Sequence, residues 1–317
     1  MREQRDELSD VTVVIPNSNT ADLTRRSVAA LVDDGVPSGR IVVVDNGSTD
    51  GERARIEREL EDCVLVVLPT NVGFARAVNA GARALPGRAY LFVNSDAFVH
   101  RPGSVARLLS ALDDPRVGVA VPRLLNVDLS LQRNVVPVHT PAVALVRASG
   151  LSRFVPDRWQ PRWSTHWSHA SSREIQAADG AVMLVRSQAW EALGGFDERL
   201  HMYAEDLDVC WRAGRLGWKV WFAHDAEFVH VGQGTTSKSW GSPRRAELIG
   251  RSEGAMIRRN MSPLRARATL ACLSAGLLAR IAVYSLLGNR DATATLWGSL
   301  RGYAAPRRAA RAEQTRG

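Results

Sequence analysis

Apolar runs and amphipathic stretches alternate along the first part of the chain. Val11 to Ile15, Arg40 to Val44, Val64 to Leu68, Ala89 to Val93 and Val117 to Val121 have the β-branched character of buried strands. Between them, Asp22–Val32, Glu52–Glu61, Phe74–Leu85 and Gly103–Leu112 carry apolar residues at helical spacing. The pattern predicts βα units around a mostly parallel, Rossmann-like sheet flanked by helices, an α/β fold. It fails between about Leu124 and Ser172, where Phe154, Trp159, Trp163 and Trp167 are scattered through loop-like sequence. So long an irregular stretch predicts a functional or mobile segment rather than core. Order resumes with a strand at Ala181–Val185, a helix at Ser187–Leu193, an acidic helix ending at Leu216 and a strand at Lys219–Phe222. A basic helix over Arg244–Arg259 and, after Pro263, an apolar stretch Ala268–Leu287 interrupted by Arg280 complete the pattern.

In an open parallel sheet, ligands bind beyond the carboxyl ends of the strands, and here those ends are polar. They read Pro16-Asn17-Ser18-Asn19, Asp45-Asn46-Gly47-Ser48-Thr49-Asp50, Thr70-Asn71-Val72-Gly73 and Asn94-Ser95-Asp96. Turns favour the same residue types, so each alone is weak; four in succession are stronger. A carboxylate at Asp45 can accept a hydrogen bond from a pyrimidine ring N–H, and Asp96 is placed to hold a hard divalent cation against a diphosphate. Neither GxGxxG nor GxxxxGK[ST] occurs, so a bound nucleotide diphosphate calls for a metal ion rather than a glycine loop. His230 follows another strand-like run; a lone histidine there is more often structural than a ligand.

The chain's second cluster of chemistry is Gly194-Gly195-Phe196-Asp197-Glu198, followed by Glu205-Asp206-Leu207-Asp208. Acids in a first helical turn complement the helix dipole, worth roughly 0.3–1 kcal/mol each, and Asp208 can pair with Arg212 one turn on. Glu205 and Asp206 follow Met202, Tyr203 and Ala204, a largely apolar approach where a carboxylate can act with little water around it.

Composition narrows the classes. Cys63, Cys210 and Cys272 lie far apart, suggesting neither a disulfide framework nor a zinc site and fitting a reducing cytoplasm. Met1 to Asp10 is polar and reads as a flexible N-terminus without a secretory signal. The net charge of +8 is uneven: residues 1–240 hold 27 Lys+Arg against 29 Asp+Glu, and residues 241–317 hold 14 against 4. A basic tail on an acidic body disfavours nucleic acid as partner. It leaves open whether residues 241–303 form a soluble helical extension or touch a membrane surface peripherally, with 304–317 a disordered tail.

The ordered series Val13-Val14-Ile15-Pro16, Val44 to Asp50, Asn71-x-Gly73-Phe74 with Asn79 and Gly81, Asn94-Ser95-Asp96, Gly194 to Glu198 and Glu205-Asp206-x-Asp208 resembles family-2 glycosyltransferases. The rhamnosyltransferase-like bacterial branch is the most similar, and the resemblance covers residues 11 to about 235. It implies a GT-A domain over residues 11–240, with a nucleotide-binding half (11–122) and an acceptor and catalytic half (123–240). It also implies a nucleotide-diphosphate sugar donor, Mn2+ or Mg2+, and inversion at the anomeric carbon. Asp45 would contact the base, with Pro16, Asn17 and Asn19 lining the nucleoside pocket and Asn46, Gly47, Asn71, Gly73, Arg76, Asn94 and Ser95 completing the donor site. Asp96 and His230 would hold the metal, Asp206 with Glu205 beside it would be the general base, and Asp179, Gly180 and Trp211 would face the acceptor.

Two departures stand out: Asn94 replaces the first acid of the family's Asp-x-Asp motif, and no aromatic follows Ile15-Pro16. The resemblance suggests dTDP-rhamnose and a cell-wall, polysaccharide or lipid-linked acceptor; a UDP-hexose or UDP-GlcNAc donor with a natural-product acceptor, and a homodimer, remain open. A nucleotide-sugar-binding protein without catalysis is disfavoured by the intact Glu205-Asp206 pair. The expected location is the cytoplasm, at most peripheral on the inner face of the membrane.

Overall fold

The computed structural model describes residues 8–149, 151–163, 165, 167–200, 203–232 and 242–305. Most of the expected N-terminal arm, the expected disordered tail from 306 onward and Met202 lie outside the described residues.

Strands β1 (Val11–Asn17), β2 (Ile41–Asn46), β3 (Val64–Leu68) and β4 (Ala89–Val93) alternate with helices α1 (Ala21–Asp33), α2 (Asp50–Glu59) and α3 (Phe74–Ala84). After β4 come β5 (Ala97–Val99), α4 (Ser104–Ser110), β6 (Val117–Leu125), β7 (Leu131–Gln132), β8 (Val135–Val136), α5 (Pro141–Ala148), β9 (Arg173–Ile175) and β10 (Ala177–Ala178). Then follow β11 (Val182–Arg186), α6 (Ser187–Leu193), α7 (Glu205–Arg215), β12 (Lys219–His230), α8 (Pro243–Asn260), α9 (Pro263–Leu286) and α10 (Arg290–Ala304).

The main sheet has the order β3-β2-β1-β4-β11-β6-β12-β5, with β7 on β6 and β9 on β12. Its first four strands are parallel, β11 runs antiparallel between β4 and β6, and β12 is parallel to β6. Successive residues face opposite sides, which is why the strands read as continuous apolar runs. Val14, Val42 and Val44 join the core under α3, whereas Val13, Ile15, Ile41 and Val43 join the core under α1.

The stretch expected to be irregular is more ordered than its sequence pattern suggests. β6 continues to Leu125, and α5 begins at Pro141 with Thr140 Oγ1 accepting a hydrogen bond from Val143 N at 3.2 Å. Eight residues are too few to show a helical period, and the cap alone did not mark them. Trp167 is core: it is buried, stacks on His169 at 4.3 Å and meets Phe222 edge-on at 4.8 Å. β12 also outruns its expected end by eight residues and reaches His230. Its second part pairs with β5 after a register shift between Ala223 and Glu227 that obscures the alternation.

The C-terminal extension holds three helices rather than two. α8 and α10 lie backbone to backbone, and a Cβ on Gly250 would come 2.6 Å from Ser299 O. α10 was missed because small and polar residues dilute its pattern; glycines at 298 and 302 also face α8, which only the structure reveals.

The packing of α3 on the sheet is equally close. A Cβ on Gly81 would lie 2.4 Å from Val14 Cγ1 and 2.8 Å from Val44 Cγ2. Gly81→Ala should therefore destabilise the domain by about 1–3 kcal/mol through overpacking. Urea unfolding checks this against Gly39→Ala, whose new methyl group meets nothing within 4 Å.

Candidate active site

The parallel strands deliver their carboxyl ends to one edge, and the polar loops there form a single hydrogen-bonded layer. Asn17, fully buried, is its hub. Its Oδ1 accepts from Thr20 Oγ1 (2.9 Å) and Thr24 Oγ1 (2.8 Å), while its Nδ2 donates to Ser48 Oγ (3.0 Å) and Asp45 Oδ1 (3.3 Å). The other Asp45 oxygen accepts from Arg53 Nε at 3.3 Å, so the carboxylate is buried with both oxygens engaged. Asn19, at φ 55°, accepts from Thr49 N and so ties the β1 loop to the β2 loop. Asn46 reaches the β3 loop, accepting from Val72 N (2.9 Å) and donating to Asn71 Oδ1 (3.1 Å). Asn71 in turn accepts from Gly73 N at 3.0 Å. Gly47 permits this contact: its φ is 68°, and a Cβ there would sit 2.4 Å from Asn71 N. Pro16 and Asn94 are half-buried, and Ser95 Oγ lies 3.1 Å from Thr20 Oγ1, to which it can donate.

Asp96 and His230 meet across the β5–β12 pairing, with His230 Nε2 3.3 Å from Asp96 Oδ1. His230 Nδ1 lies 2.7 Å from Gln132 Oε1, an acceptor, which makes Nδ1 the protonated nitrogen. In the neutral ring Nε2 then presents a lone pair to a carboxylate oxygen, an arrangement that suits an intervening cation or proton. An imidazole and a hard carboxylate fit Mn2+ or Mg2+. Among the described residues no three His, Cys, Asp or Glu side chains gather as a self-sufficient metal site, so a cation here needs further ligands from a bound molecule or water.

Asp206 lies in the first turn of α7, introduced by two consecutive left-handed residues, Tyr203 (φ 68°) and Ala204 (φ 64°). Non-glycine residues adopt that conformation at a cost of roughly 1–2 kcal/mol each, and such strain concentrates at functional sites. Gly180 N donates to Asp206 Oδ2 at 2.6 Å, and Leu207 N donates to Oδ1 at 2.7 Å. Burial, followed by the charge of Glu253, raises the Asp206 carboxyl above its ordinary value against those two amides. Asp179 is exposed beside Gly180; the protein around it, then the charges of Asp206 and Glu253, push it well above the carboxylate range. Glu205 is only 7% exposed, its Oε2 has no hydrogen-bond partner, and burial plus the neighbouring Asp206 push it up to about 8.

Asp208 is structural, as its spacing to Arg212 suggested. It accepts from Arg212 Nε (2.6 Å) and Asn260 Nδ2 (2.7 Å), while Arg212 also donates to Leu193 O and Gly195 O. Asn79 fixes the other end of that glycine turn, accepting from Phe196 N and donating to Phe196 O and Glu198 Oε1. Arg76, on the same helix, lies 3.8 Å from Glu198 Oε2. Trp211 is not gathered around Asp206: five residues on, it is turned about 140° around the helix. It lines a separate groove of about 750 Å3 that includes neither Asp206 nor Asp179.

Sequence reasoning missed Arg53, Gln132 and a buried group behind Asp206. Glu253 of α8 accepts from Tyr303 Oη at 2.6 Å and lies 3.8 Å from His139 Nε2. Burial alone would raise the Glu253 carboxyl; His139 and Tyr303 more than reverse that and lower it, while burial and Glu253 raise Tyr303 well above its ordinary value. Arg53 carried a signal, a cation one turn into the helix after Asp45, whereas no spacing links residues 139, 253 and 303.

Comparison with known proteins agrees with this arrangement. The sequence model of Glycosyl transferase family 2 matches residues 12–179, and that of Glycosyl transferase family group 2 matches residues 127–301. The N-acetylglucosaminyl-diphospho-decaprenol L-rhamnosyltransferase of Mycobacterium tuberculosis is 30% identical over 207 residues, 60% of this chain and 66% of that protein. The Pre-mycofactocin glycosyltransferase of the same species is 32% identical over 228 residues, 70% of this chain and 42% of that protein. The matches thus span just under two thirds and under half of these relatives' lengths. Among solved structures, the mannosyltransferase PcManGT from Pyrobaculum calidifontis, in complex with GDP-Man and Mn2+, superposes with a TM-score of 0.57 at 20% identity. That match covers 93% of this chain and 84% of the other, and speaks to the fold alone.

The raised Glu205 carboxyl has a consequence for stability. Its folded value near 8 exceeds the ordinary 4.5, so the folded state binds more protons between those values and Glu205 weakens folding as pH rises through that window. Glu205→Gln lacks this liability, so its urea midpoint relative to the parent chain should rise between pH 5 and pH 9 (about those values); a constant difference contradicts the assignment. With a GT-A core, the ordered motifs at its sheet edge and a family match over more than half of its length, the chain belongs to glycosyl transferase family 2, a family of glycosyltransferases.

Proposed function

We propose that the chain is an inverting glycosyltransferase that moves a sugar from a nucleotide-diphosphate donor to an acceptor hydroxyl, with Asp206 as general base. The observation that carries this is the Asp206 carboxylate, half-buried and oriented by Gly180 N and Leu207 N, with the exposed Asp179 close enough to interact with it electrostatically. Asp206 takes the proton from the acceptor hydroxyl as that oxygen attacks the anomeric carbon and the bond to the nucleotide diphosphate breaks with inversion. Asp45, reached by releasing Arg53, accepts from the base, and the Asn46–Asn71–Gly73 network shapes the pocket around the nucleoside. Asp96 and His230 would hold a divalent cation, which when bound supplies positive charge against the leaving diphosphate. Asn94 in place of an acid removes one negative charge from that site.

The name of the mycobacterial relative supports a finer reading, transfer of rhamnose to a polyprenyl-diphosphate-linked acceptor; dTDP-rhamnose as donor and the cytoplasmic face of a membrane as the place complete the proposal. The same chemistry with a UDP-hexose is the alternative that a donor screen separates.

Asp206→Asn keeps the shape and can accept from one of the two backbone amides, turns an NH2 toward the other, and cannot take a proton. Transfer should fall by about 100-fold or more while donor affinity stays within a factor of about 2; near-parent transfer would assign the base elsewhere. Gln132→Leu removes the acceptor that orients His230 and should weaken Mn2+-dependent binding of the nucleotide diphosphate by about 10- to 100-fold in calorimetric titration. Unchanged binding would exclude His230 as a ligand.

A further inference from the structure

α9 is apolar on both sides. Its inward stripe, including Ala266, Thr269, Gly276 and Ile281, is buried, and the helix packs against α5, α8 and α10. Its outward side is open: Leu264 is 79% exposed, Leu278 47% and Leu286 89%, with Ala268, Ala271, Ala275 and Ala282 continuing the exposed row between them. The row recurs every three or four residues along the whole 24-residue helix, so the open side is one continuous strip rather than scattered side chains. α5 packs on α9, and the turn Leu151–Phe154 packs on α5, bringing Phe154, 82% exposed, into the same assembly.

Charge selects the occupant. α9 carries Arg265, Arg267 and Arg280, all exposed, and no acidic residue. Apposing this strip in parallel to a second copy of itself would set Arg265 and Arg267 against their counterparts with no acid on either helix to relieve them. A surface of anionic headgroups over an apolar interior complements both features at once. The helix is long and apolar enough to cross a membrane by length and composition. However, its inward stripe is already packed against its own domain, leaving one side to meet lipid.

We propose that the outward side of α9, flanked near its N-terminal end by Arg265 and Arg267, is a bilayer-docking face that lies in the interface of an anionic membrane. α9 packs on α8, which carries Glu253, so the docking helix is joined through α8 to the surroundings of Asp206. The proposal deepens the lipid-linked acceptor reading, but membrane binding is measured without transfer, so either can fail alone.

The test is co-sedimentation of the 317-residue chain with vesicles of phosphatidylcholine and phosphatidylglycerol in roughly equal parts, and with phosphatidylcholine alone. The chain should pellet with the mixed vesicles and about 10-fold less with the neutral ones or at high salt. A Leu278→Glu/Leu286→Glu double variant should lose about 10-fold or more of that partition while keeping its thermal midpoint and nucleotide-diphosphate affinity. Absence of pelleting, or equal pelleting by parent and variant, overturns the proposal. So does a concentration-dependent dimer in light scattering that the double variant abolishes, which would assign the strip to a second copy. Pelleting without transfer to any polyprenyl-linked acceptor leaves the docking face standing and removes the acceptor reading.

Discussion

The site depends on one close approach. Gly180 N donates to Asp206 at 2.6 Å, and a Cβ at residue 180 would lie 2.8 Å from the Asp206 Cβ, so only a bare backbone allows the amide to reach the carboxylate. That contact joins the start of β11 to the start of α7, and other bonds hold each partner in place. Asp208 and Arg212 tie α7 to the glycine turn and to Asn260, while Asn79 ties the same turn to α3, more than a hundred residues earlier. The helix bearing Asp206, the proposed base, is thereby referenced to the helix that lies on the parallel strands. A sugar held by one half and a hydroxyl held near the other can meet within bond-forming distance only if that reference is rigid.

Crowding four carboxyls around this contact costs stability and confers reactivity. Glu205 and Asp206 are raised above the ordinary range by burial first, and Asp179 by the protein around it; the charge of Asp206 adds to the shifts of Glu205 and Asp179, and that of Glu253 to the shift of Asp206. Glu253 moves the other way, held ionised by His139 and Tyr303, so the negative charge behind Asp206 is fixed rather than adaptable. A base so placed is less well solvated than a surface carboxylate and binds a proton more readily, which favours removing one from a hydroxyl. The C-terminal helices therefore shape the electrostatics around Asp206 as well as packing on the domain.

The place of the proposed donor site was legible in the sequence because each of its chemical groups ends or follows a strand. Asn17, Asp45, Asn71 and Asp96 come at the end of apolar runs, and a parallel sheet brings such ends together whatever the loops do. What the sequence concealed was the occupancy of these groups: Asn17 spends its hydrogen bonds on the fold, and Asp45 is covered by Arg53. The acceptor half was less legible because it is assembled from short elements. β8, β10 and α5 are too brief to display a period, and the His139–Glu253–Tyr303 group joins three segments whose proximity no local pattern encodes.

This difference between the halves has a physical origin. Nucleotide diphosphates share a base, a sugar and a charged tail, so one edge of polar loops on a regular sheet can serve many donors, and the regularity that makes the edge serviceable makes it readable. Acceptors differ in shape and in where they reside, so their half must be built from irregular pieces grafted around a fixed base. α9 extends that logic: its inward stripe follows the domain's own packing, while its open apolar strip has no purpose within the fold. A helix whose two sides answer to different environments has a blurred amphipathic pattern, which is why its period indicated a helix but not which side it would leave open.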